Sequence, residues 1–268
     1  MEERKLVEKE FHDALRTGEY GQRWSLEQEK VYQSNPMWVN MKYYAIEKRS
    51  RGIVEQWFED NVKNRVVLDY CCGNGEDTLF IAKKGAAKVV GIDLSDVSIA
   101  NCTERAASEN LSCVAEFRVM DAEALEFEND TFDIVSEYGA LHHMDLDRAF
   151  ESVRKVLKPE GRVICVETLG HNPLIHLYRK STMHLRTQWE VDHILKRKDI
   201  EKAYKYFNKI DYVGFFYLAA LAAVPFRNTP FFFPLLYVLE RVDHLLFKVP
   251  FLKWNAWQVV FVLSEPKK

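Results

Sequence analysis

The stretch Val66–Thr78, VVLDYCCGNGEDT, constrains the fold of this chain more than any other part of it. It opens with three consecutive apolar residues, a run typical of a central parallel strand covered on both faces. Asp69 ends the run, and Gly73 and Gly75 allow a sharp turn in which the backbone can approach a ligand closely. The helix pattern that follows offers free backbone N–H groups at its start. The stretch therefore predicts a buried strand, a glycine turn and a helix.

Charge around this turn distinguishes two classes of nucleotide-like ligand. A dinucleotide site needs a third glycine for close helix–strand packing, and Thr78 stands at that position. Asp69, Glu76 and Asp77 surround the turn with negative charge, which repels a diphosphate but tolerates a sulfonium and an α-amino group. The turn therefore favours a ligand with positive charge over a nicotinamide dinucleotide.

The segment LDYCCGNG resembles the first motif of class I S-adenosylmethionine-dependent methyltransferases, an acid followed by Gly-x-Gly-x-Gly. Cys71 stands at the first glycine, where a small side chain leaves the turn plausible. The resemblance implies an α/β, doubly wound, Rossmann-like fold with a seven-stranded sheet, mostly parallel, whose last strand is antiparallel. It also implies S-adenosyl-L-methionine as cofactor, S-adenosyl-L-homocysteine as product, and no metal. The cofactor contacts implied at the turn are Asp69, Cys71, Gly73, Asn74 and Gly75.

Two further predicted strands, 88–92 and 116–120, each end in a carboxylate, in register with the first motif. Asp93 lies about two dozen residues after the first acid, a distance at which a strand-end carboxylate can accept both hydroxyls of an adenosine ribose. Capping of the following helix is the alternative role for Asp93. Asp121, followed by a small residue, is similar to the family's adenine-edge position. The implied contacts with the adenosine are Asp93, Leu94, Asp121 and Ala122.

The stretch Glu137–His143 follows a fourth predicted strand, where the family's methionine end and acceptor usually meet. Methyl transfer from a sulfonium is an in-line displacement, so the enzyme contributes chiefly position, alignment and exclusion of water. An oxygen or nitrogen acceptor that holds a proton can also need a general base, a task that suits histidine. His143 and His142 are the candidates, and either could instead support the loop by hydrogen bonding. Residues predicted to line the cofactor are Glu137, Tyr138 and, from the N-terminal part, Tyr44.

The chain divides into an N-terminal helical segment, 1–60, and a predicted methyltransferase domain, 61–268. In the family, such an N-terminal segment often closes over the cofactor. Within the domain, 171–207 is predicted to be a substrate-cap element near the carboxyl edge of the sheet. Its arginines could hold a carboxylate or phosphate of the acceptor, or pair with Glu190 and Asp192 at the surface. The candidate substrate contacts are His171, Tyr178, Arg179 and Arg186.

A second cap element, 212–253, is strongly apolar and is predicted to be an insertion before the last strand. Its first uninterrupted apolar run is about fifteen residues, short of the roughly twenty that a membrane-spanning helix needs. Three roles remain open for it. It could pack on the N-terminal helices, line a pocket for an apolar acceptor such as an isoprenoid, quinone precursor or polyketide, or dock on a membrane surface or a second subunit, as in a homodimer.

Composition narrows the class of protein. The 268 residues, 47% hydrophobic and 29% charged, suit one globular domain with an elaboration, and a net charge of -3 gives no reason to expect nucleic acid. Five cysteines without disulfide or metal spacing, and a charged N-terminus unlike a secretory signal, predict a cytoplasmic protein. The sequence thus predicts a methyltransferase for a small, partly apolar acceptor, at oxygen. The alternatives are C- or N-methylation of a lipid-like or isoprenoid acceptor, and a non-catalytic cofactor-binding protein of the same fold.

Overall fold

Seven strands pair into one sheet within the residues that this computed structural model describes, which are 2–16, 46–181 and 187–268. Within them, nothing is described of the side chains of residues 14–16, 178 and 181. The strands are β1 (Val66–Tyr70), β2 (Lys88–Asp93), β3 (Ala115–Val119), β4 (Phe132–Tyr138), β5 (Leu157–Thr168), β6 (Phe207–Phe216) and β7 (Gln258–Pro266).

Helices alternate with these strands as the sequence predicts. The α-helices are α1 (Glu3–Arg16), α2 (Lys48–Asn61), α3 (Glu76–Lys83), α4 (Asp96–Ser108), α5 (Leu146–Val156), α6 (Pro173–Ser181), α7 (Gln188–Asp192), α8 (Arg197–Glu201) and α9 (Phe232–Leu246). Short 3₁₀ helices span Leu141–His143, Lys202–Lys205, Ala220–Phe226 and Lys253–Asn255.

The strand order is β3-β2-β1-β4-β5-β7-β6, and β7 is antiparallel to both of its neighbours. All other pairs are parallel. After β1 the chain builds outward to β3 and then returns to place β4 on the other side of β1. This reversal leaves a crevice at the carboxyl ends of β1 and β4, where open α/β sheets bind ligands. The predicted doubly wound fold with an antiparallel last strand is confirmed.

Alternate residues of the strands feed two apolar cores, one on each face of the sheet. Val67 packs with α2 and α3 on one face, whereas Leu68 packs toward α5 on the other. Both side chains are fully buried. This burial on both faces accounts for the uninterrupted apolar run at the start of β1.

The second predicted cap element is corrected by the structure. Residues 212–216 belong to β6, so the insertion begins only after Phe216. Ala220, Ala223 and Leu236 of the insertion are buried against the sheet face that α2 also covers. The apolar run is thus partly an edge strand and partly the helical layer over it. Packing on the core, one of the three open roles, explains its buried half.

Candidate active site

A cavity of about 750 Å³ lies in the crevice at the carboxyl ends of β1, β2 and β4. Its walls come from the glycine turn, the two strand-end carboxylates, the loop after β4, the start of α2 and one face of α1. Ten of the residues predicted from the sequence line it: Asp69, Cys71, Gly73, Asn74, Asp93, Leu94, Asp121, Ala122, Tyr138 and His143. Their contacts with a cofactor remain predictions.

The glycine turn bends through three alternate residues with left-handed φ. Cys71 has a φ of 63°, Gly73 of 53° and Gly75 of 75°. The backbone N–H of Cys72 donates to the carbonyl of Ile92 at 2.8 Å, which ties the turn to β2. Gly75 does not line the cavity described and is instead the N-cap residue of α3. A glycine at the first position of the family motif would adopt this φ without strain. The cysteine found here occupies a backbone region that costs a non-glycine residue about 1–3 kcal/mol.

Neighbouring side chains partly balance the negative charge of the acids at the turn. Thr78, at the position of a third glycine, donates its hydroxyl to Asp69, and Arg51 of α2 pairs with Asp77. Burial, reinforced by the nearby Asp77, raises the pKa of Asp69 to about 7. A ligand ammonium group beside Asp69 would favour the ionised form and lower that pKa again. The turn therefore keeps its preference for a positively charged group.

Asp93 is held rigidly at the end of β2. Its two carboxylate oxygens accept hydrogen bonds from the backbone N–H of Gly73, at 3.0 Å, and of Ser95, at 2.9 Å. The side chain of Ser95 in turn caps α4. Asp93 therefore ties the glycine turn to the start of α4 while it lines the cavity. The two roles weighed from the sequence, ligand binding and support of the helix start, are compatible.

The first helix covers one side of the cavity with charged groups. The amine of Lys5 lies 2.7 Å from Asp121 and 2.9 Å from Glu123, and Lys9 pairs with Asp96 at the start of α4. Lys5 is 6% exposed, so its ion pairs are largely shielded from solvent. The helix thus lies over the adenine-edge carboxylate, as a segment that closes over the cofactor would.

The loop after β4 distinguishes the two histidines. The Nδ1 atom of His142 lies 2.8 Å from Glu167, and neither residue of this buried pair lines the cavity. The Nδ1 atom of His143 lies 2.9 Å from Glu8 of α1, at the cavity wall. His142 thus takes the supporting role that the sequence left open. His143 is the candidate base that the cavity wall contains.

Glu137, which was predicted to line the cofactor, is not part of the cavity wall described. It is 2% exposed and accepts hydrogen bonds from the backbone N–H groups of Ala140 and Leu141. Burial, with the negative charge of Glu167 beside it, raises its pKa well above the ordinary value. Glu137 therefore braces the loop, and its neighbour Tyr138 is the residue that reaches the cavity.

A pair of opposite charges joins α1 to this loop. Burial is the largest single influence and opposes both charges, but the hydrogen bond and the Coulombic attraction together outweigh it, so the pKa of His143 is raised and the pKa of Glu8 is lowered. His12 joins the pair, and the three side chains bring possible metal-binding atoms within 4.8 Å of one another. Glu8 and His143 are hydrogen-bonded directly to each other.

The predicted substrate contacts lie elsewhere. His171 accepts a hydrogen bond from the backbone N–H of Arg197, and the buried Arg179 pairs with Glu190 at 2.7 Å. Neither residue lines the cavity described. Arg179 thus takes the alternative role of an ion pair, though a buried one. Nothing is described of the Tyr178 side chain, and Tyr44 and Arg186 lie outside the described residues.

Two wall residues from the start of α2 were missed. Glu47 accepts a hydrogen bond from Tyr138, at 2.9 Å, and burial raises its pKa to about 7. Arg51 lies one helical turn further on and pairs with Asp77. Both charged side chains fall on the inward side of a helix that was predicted from its apolar residues alone. The one signal was the polar Ser50 on that inward side, which is too weak to identify a binding residue.

One side-chain oxygen of the turn could accept a hydrogen bond from a ligand. The side-chain oxygen of Asn74 is buried and has no hydrogen-bond partner among the described residues. A buried acceptor of this kind normally has a donor. Together with the strand-end carboxylates, it gives the cavity acceptors for hydroxyl and amino groups, which are the donors of an adenosyl amino acid. The residues present therefore fit the cofactor that the first motif implies.

Comparison with known proteins identifies the core. Residues 67–161 match the family model described as a methyltransferase domain. This part of the chain is a class I methyltransferase domain. The match covers the glycine turn, both strand-end carboxylates and the two histidines, so the predicted family is confirmed on the segment that carries its motifs.

Curated relatives match over the same part of the chain. A demethylmenaquinone methyltransferase of Lactococcus lactis subsp. lactis (strain IL1403) is 32% identical over 118 residues, 43% of this chain and 46% of the relative. The chloroplastic tocopherol O-methyltransferase of Arabidopsis thaliana is 33% identical over 125 residues, 46% of this chain and 35% of the relative. The matches to this methyltransferase domain thus span less than half of either relative.

One solved structure matches nearly the whole chain. The geranyl diphosphate C-methyltransferase of Streptomyces coelicolor A3(2), in complex with Mg²⁺, geranyl diphosphate and S-adenosyl-L-homocysteine, has a TM-score of 0.61. It is 12% identical, and the match covers 98% of this chain and 97% of that one. At that identity the likeness concerns the fold. It includes the methyltransferase domain and the parts of the chain on either side.

Proposed function

We propose that this protein transfers the methyl group of S-adenosyl-L-methionine to an oxygen atom of a small, partly apolar molecule. The observation that carries the proposal is the cavity at the switch point, whose wall contains Asp69, Asp93 and Asp121 at the ends of successive strands. Each carboxylate stands where the family motif has its cofactor contacts. The bound cofactor would supply the electrophilic methyl group.

The side chains of this protein would hold the two reactants in line. Asp69 at the turn would pair with the cofactor's ammonium group, and Asp93 would accept from the ribose hydroxyls. Lys5 already pairs with Asp121, so a cofactor at the adenine edge would share or displace that ion pair. The α1 helix would then exclude water from the donor and acceptor, which methyl transfer needs.

His143, in the neutral form that prevails above its raised pKa, is the residue proposed to take a proton from the acceptor. Its imidazole lies at the cavity wall next to Met144 and Ala140, which give this end of the cavity an apolar part. Glu8 would stabilise the positive charge that the imidazole gains. A hydroxyl acceptor has such a proton to lose, which is why oxygen is favoured over an amine that is already nucleophilic.

The names of the relatives support an apolar acceptor. One acts on a menaquinone precursor and another on tocopherol, and a structural neighbour binds geranyl diphosphate. These names also leave open which atom of the acceptor receives the methyl group. C-methylation of a lipid-like or isoprenoid acceptor is therefore the second candidate.

Labelled S-adenosyl-L-methionine tests the proposal. Incubation with a whole-cell extract, followed by separation of organic and aqueous phases, should place the label in the organic phase. Nuclear magnetic resonance of the purified product then distinguishes an O-methyl from a C-methyl group. No labelled product from a protein that binds the cofactor tightly would instead indicate a non-catalytic binding protein.

The His143→Ala variant tests the proton acceptor separately. We expect turnover to fall by about 10²-fold or more while affinity for S-adenosyl-L-homocysteine stays the same. The matched control is His142→Ala, which removes the brace and should lower thermal stability. A normal turnover rate in a folded His143→Ala variant would exclude His143 as the base.

A further inference from the structure

Methyl transfer makes no use of the outer face of α9, which is apolar and exposed. Phe233 is 67% exposed, Tyr237 57%, Val238 56% and Leu245 62%. Tyr237 follows Phe233 by four residues and Leu245 follows Val238 by seven, so these side chains share one side of the helix. Further exposed apolar side chains near this face are Phe226, Phe231, Val242 and Phe251. A patch of this kind on a folded protein marks an interaction surface.

The inner face of the same helix is firmly attached, so the outer face cannot turn inward. Phe232 and Leu236 are buried in the core over the sheet. Asp243 is also buried, and its carboxylate accepts hydrogen bonds from the backbone N–H groups of Leu218, at 3.1 Å, and Ala220, at 3.2 Å. These contacts fix the rotation of α9 about its axis. The exposed residues therefore face outward from the fold.

The charges of this segment distinguish the kinds of partner. Residues 226–253 contain four basic residues and two acidic ones, in a chain whose net charge is -3. Arg241 and Lys248 are exposed, whereas the two acids are half-buried or buried. Arg241 also lies over the ring of the exposed Tyr237 at 4.3 Å. The surface thus combines aromatic and aliphatic side chains with exposed positive charge.

We propose that the outer face of α9 docks on the surface of a bilayer that contains anionic lipids. The apolar side chains would enter the boundary between headgroups and acyl chains, and Arg241 and Lys248 would meet the anionic headgroups. A symmetric dimer through the same face would bring together two copies of a surface with exposed positive charge, which the charge opposes. No helix among the described residues is long and apolar enough to cross a bilayer.

Docking in this orientation would also bring the cavity near the lipid. Arg49 of α2 contacts the backbone carbonyl of Glu240 in α9, whereas Glu47 and Arg51 of the same helix line the cavity. An apolar acceptor could then pass from the bilayer to the cavity along α2. This last step rests on the proposed function, but docking itself does not.

Cosedimentation with vesicles tests the docking. The full chain is mixed with vesicles of phosphatidylcholine, with or without phosphatidylglycerol, and the bound fraction is measured. We expect binding about tenfold stronger when phosphatidylglycerol is present. The combined Phe233→Ser, Tyr237→Ser and Leu245→Ser variant should lose it about tenfold or more, and so should Arg241→Glu with Lys248→Glu.

The matched control changes equally exposed apolar residues on another helix. Leu174 and Leu177 of α6 are 72% and 67% exposed, and their replacement by Ser should leave binding unchanged. Each variant should keep its affinity for S-adenosyl-L-homocysteine, which shows that it is folded. Three outcomes would overturn the proposal: no binding to either vesicle, equal loss in the α6 control, or a wild-type dimer that the triple variant makes monomeric.

Discussion

Helices α1 and α9 both pack on the doubly wound core, yet they attach by opposite means. The α1 helix meets the core through charged groups, with Lys5 on Asp121 and Glu8 on His143. The α9 helix meets it through apolar side chains and one buried carboxylate, Asp243. Ion pairs depend on salt and pH, whereas apolar burial hardly does. The comparison teaches that the attachment of α1 depends on charge and therefore on pH, whereas the attachment of α9 depends mainly on apolar burial.

The largest expected effect is a loss of stability when the buried carboxylate that anchors α9 is removed. Replacement of Asp243 by Ala leaves the backbone N–H groups of Leu218, Ala219 and Ala220 without their acceptor. A buried unpaired donor costs about 1–3 kcal/mol, so the free energy of unfolding should fall by about 4 kcal/mol in denaturant titrations. Asp243→Asn keeps one acceptor oxygen and should lose about half as much. A loss below about 1 kcal/mol would mean that α9 is not anchored there.

A smaller and more local effect is expected at α1. Lys5→Glu replaces two shielded ion pairs with a third acid beside Asp121 and Glu123. Breaking such a pair costs about 3 kcal/mol, so backbone amides of α1 should exchange hydrogen much faster while those of α9 keep their protection. Lys205→Glu is the control, because that lysine pairs with Asp147 at an exposed site. Equal protection of α1 in both variants would contradict the ion-pair account.

The smallest effect is the response of α1 to pH. The pKa of Glu8 is lowered from 4.5 and that of His143 is raised from 6.5, so both groups are charged between those values. The histidine's contribution is complete below pH 6.5 and is lost as pH rises through its raised pKa. The glutamate's contribution is complete above pH 4.5 and is lost as pH falls through its lowered pKa.

Protection of α1 amides should therefore be greatest between pH 4.5 and 6.5 and weaken by about 1 kcal/mol toward alkaline pH. Hydrogen exchange corrected for the intrinsic effect of pH measures this change. Glu8→Gln is the control and should abolish it. A pH response of the same size in α9 would remove the contrast between the two helices.

The sequence predicted the parts of the site that depend on local pattern. Asp93 ends β2 and Asp121 follows β3, and the parallel sheet brings such positions to one edge. The glycine turn was predicted for the same reason. The sequence could not show a contact between residues that are distant along the chain. Lys5 and Asp121 are 116 residues apart, and nothing in either segment indicates the other.

Other differences arose from backbone and packing. The turn as a whole sets the left-handed φ of Cys71. The sequence argument considered only the small size of the cysteine side chain and left this backbone conformation out. The apolar run after residue 212 crosses the end of β6, because a buried strand and a buried helix are equally apolar. Glu137 could be assigned to the loop only once its backbone donors were seen.

The central claim is that the cavity between β1, β2 and β4 binds an adenosyl amino acid, and calorimetric titration with S-adenosyl-L-homocysteine tests it most directly. We predict that the wild-type chain binds and that Asp93→Asn weakens binding by about 1–3 kcal/mol. Asp147→Asn, which changes an exposed carboxylate on α5, should bind as the wild type does. Undiminished affinity in a folded Asp93→Asn variant, or no binding by the wild type, would contradict the account.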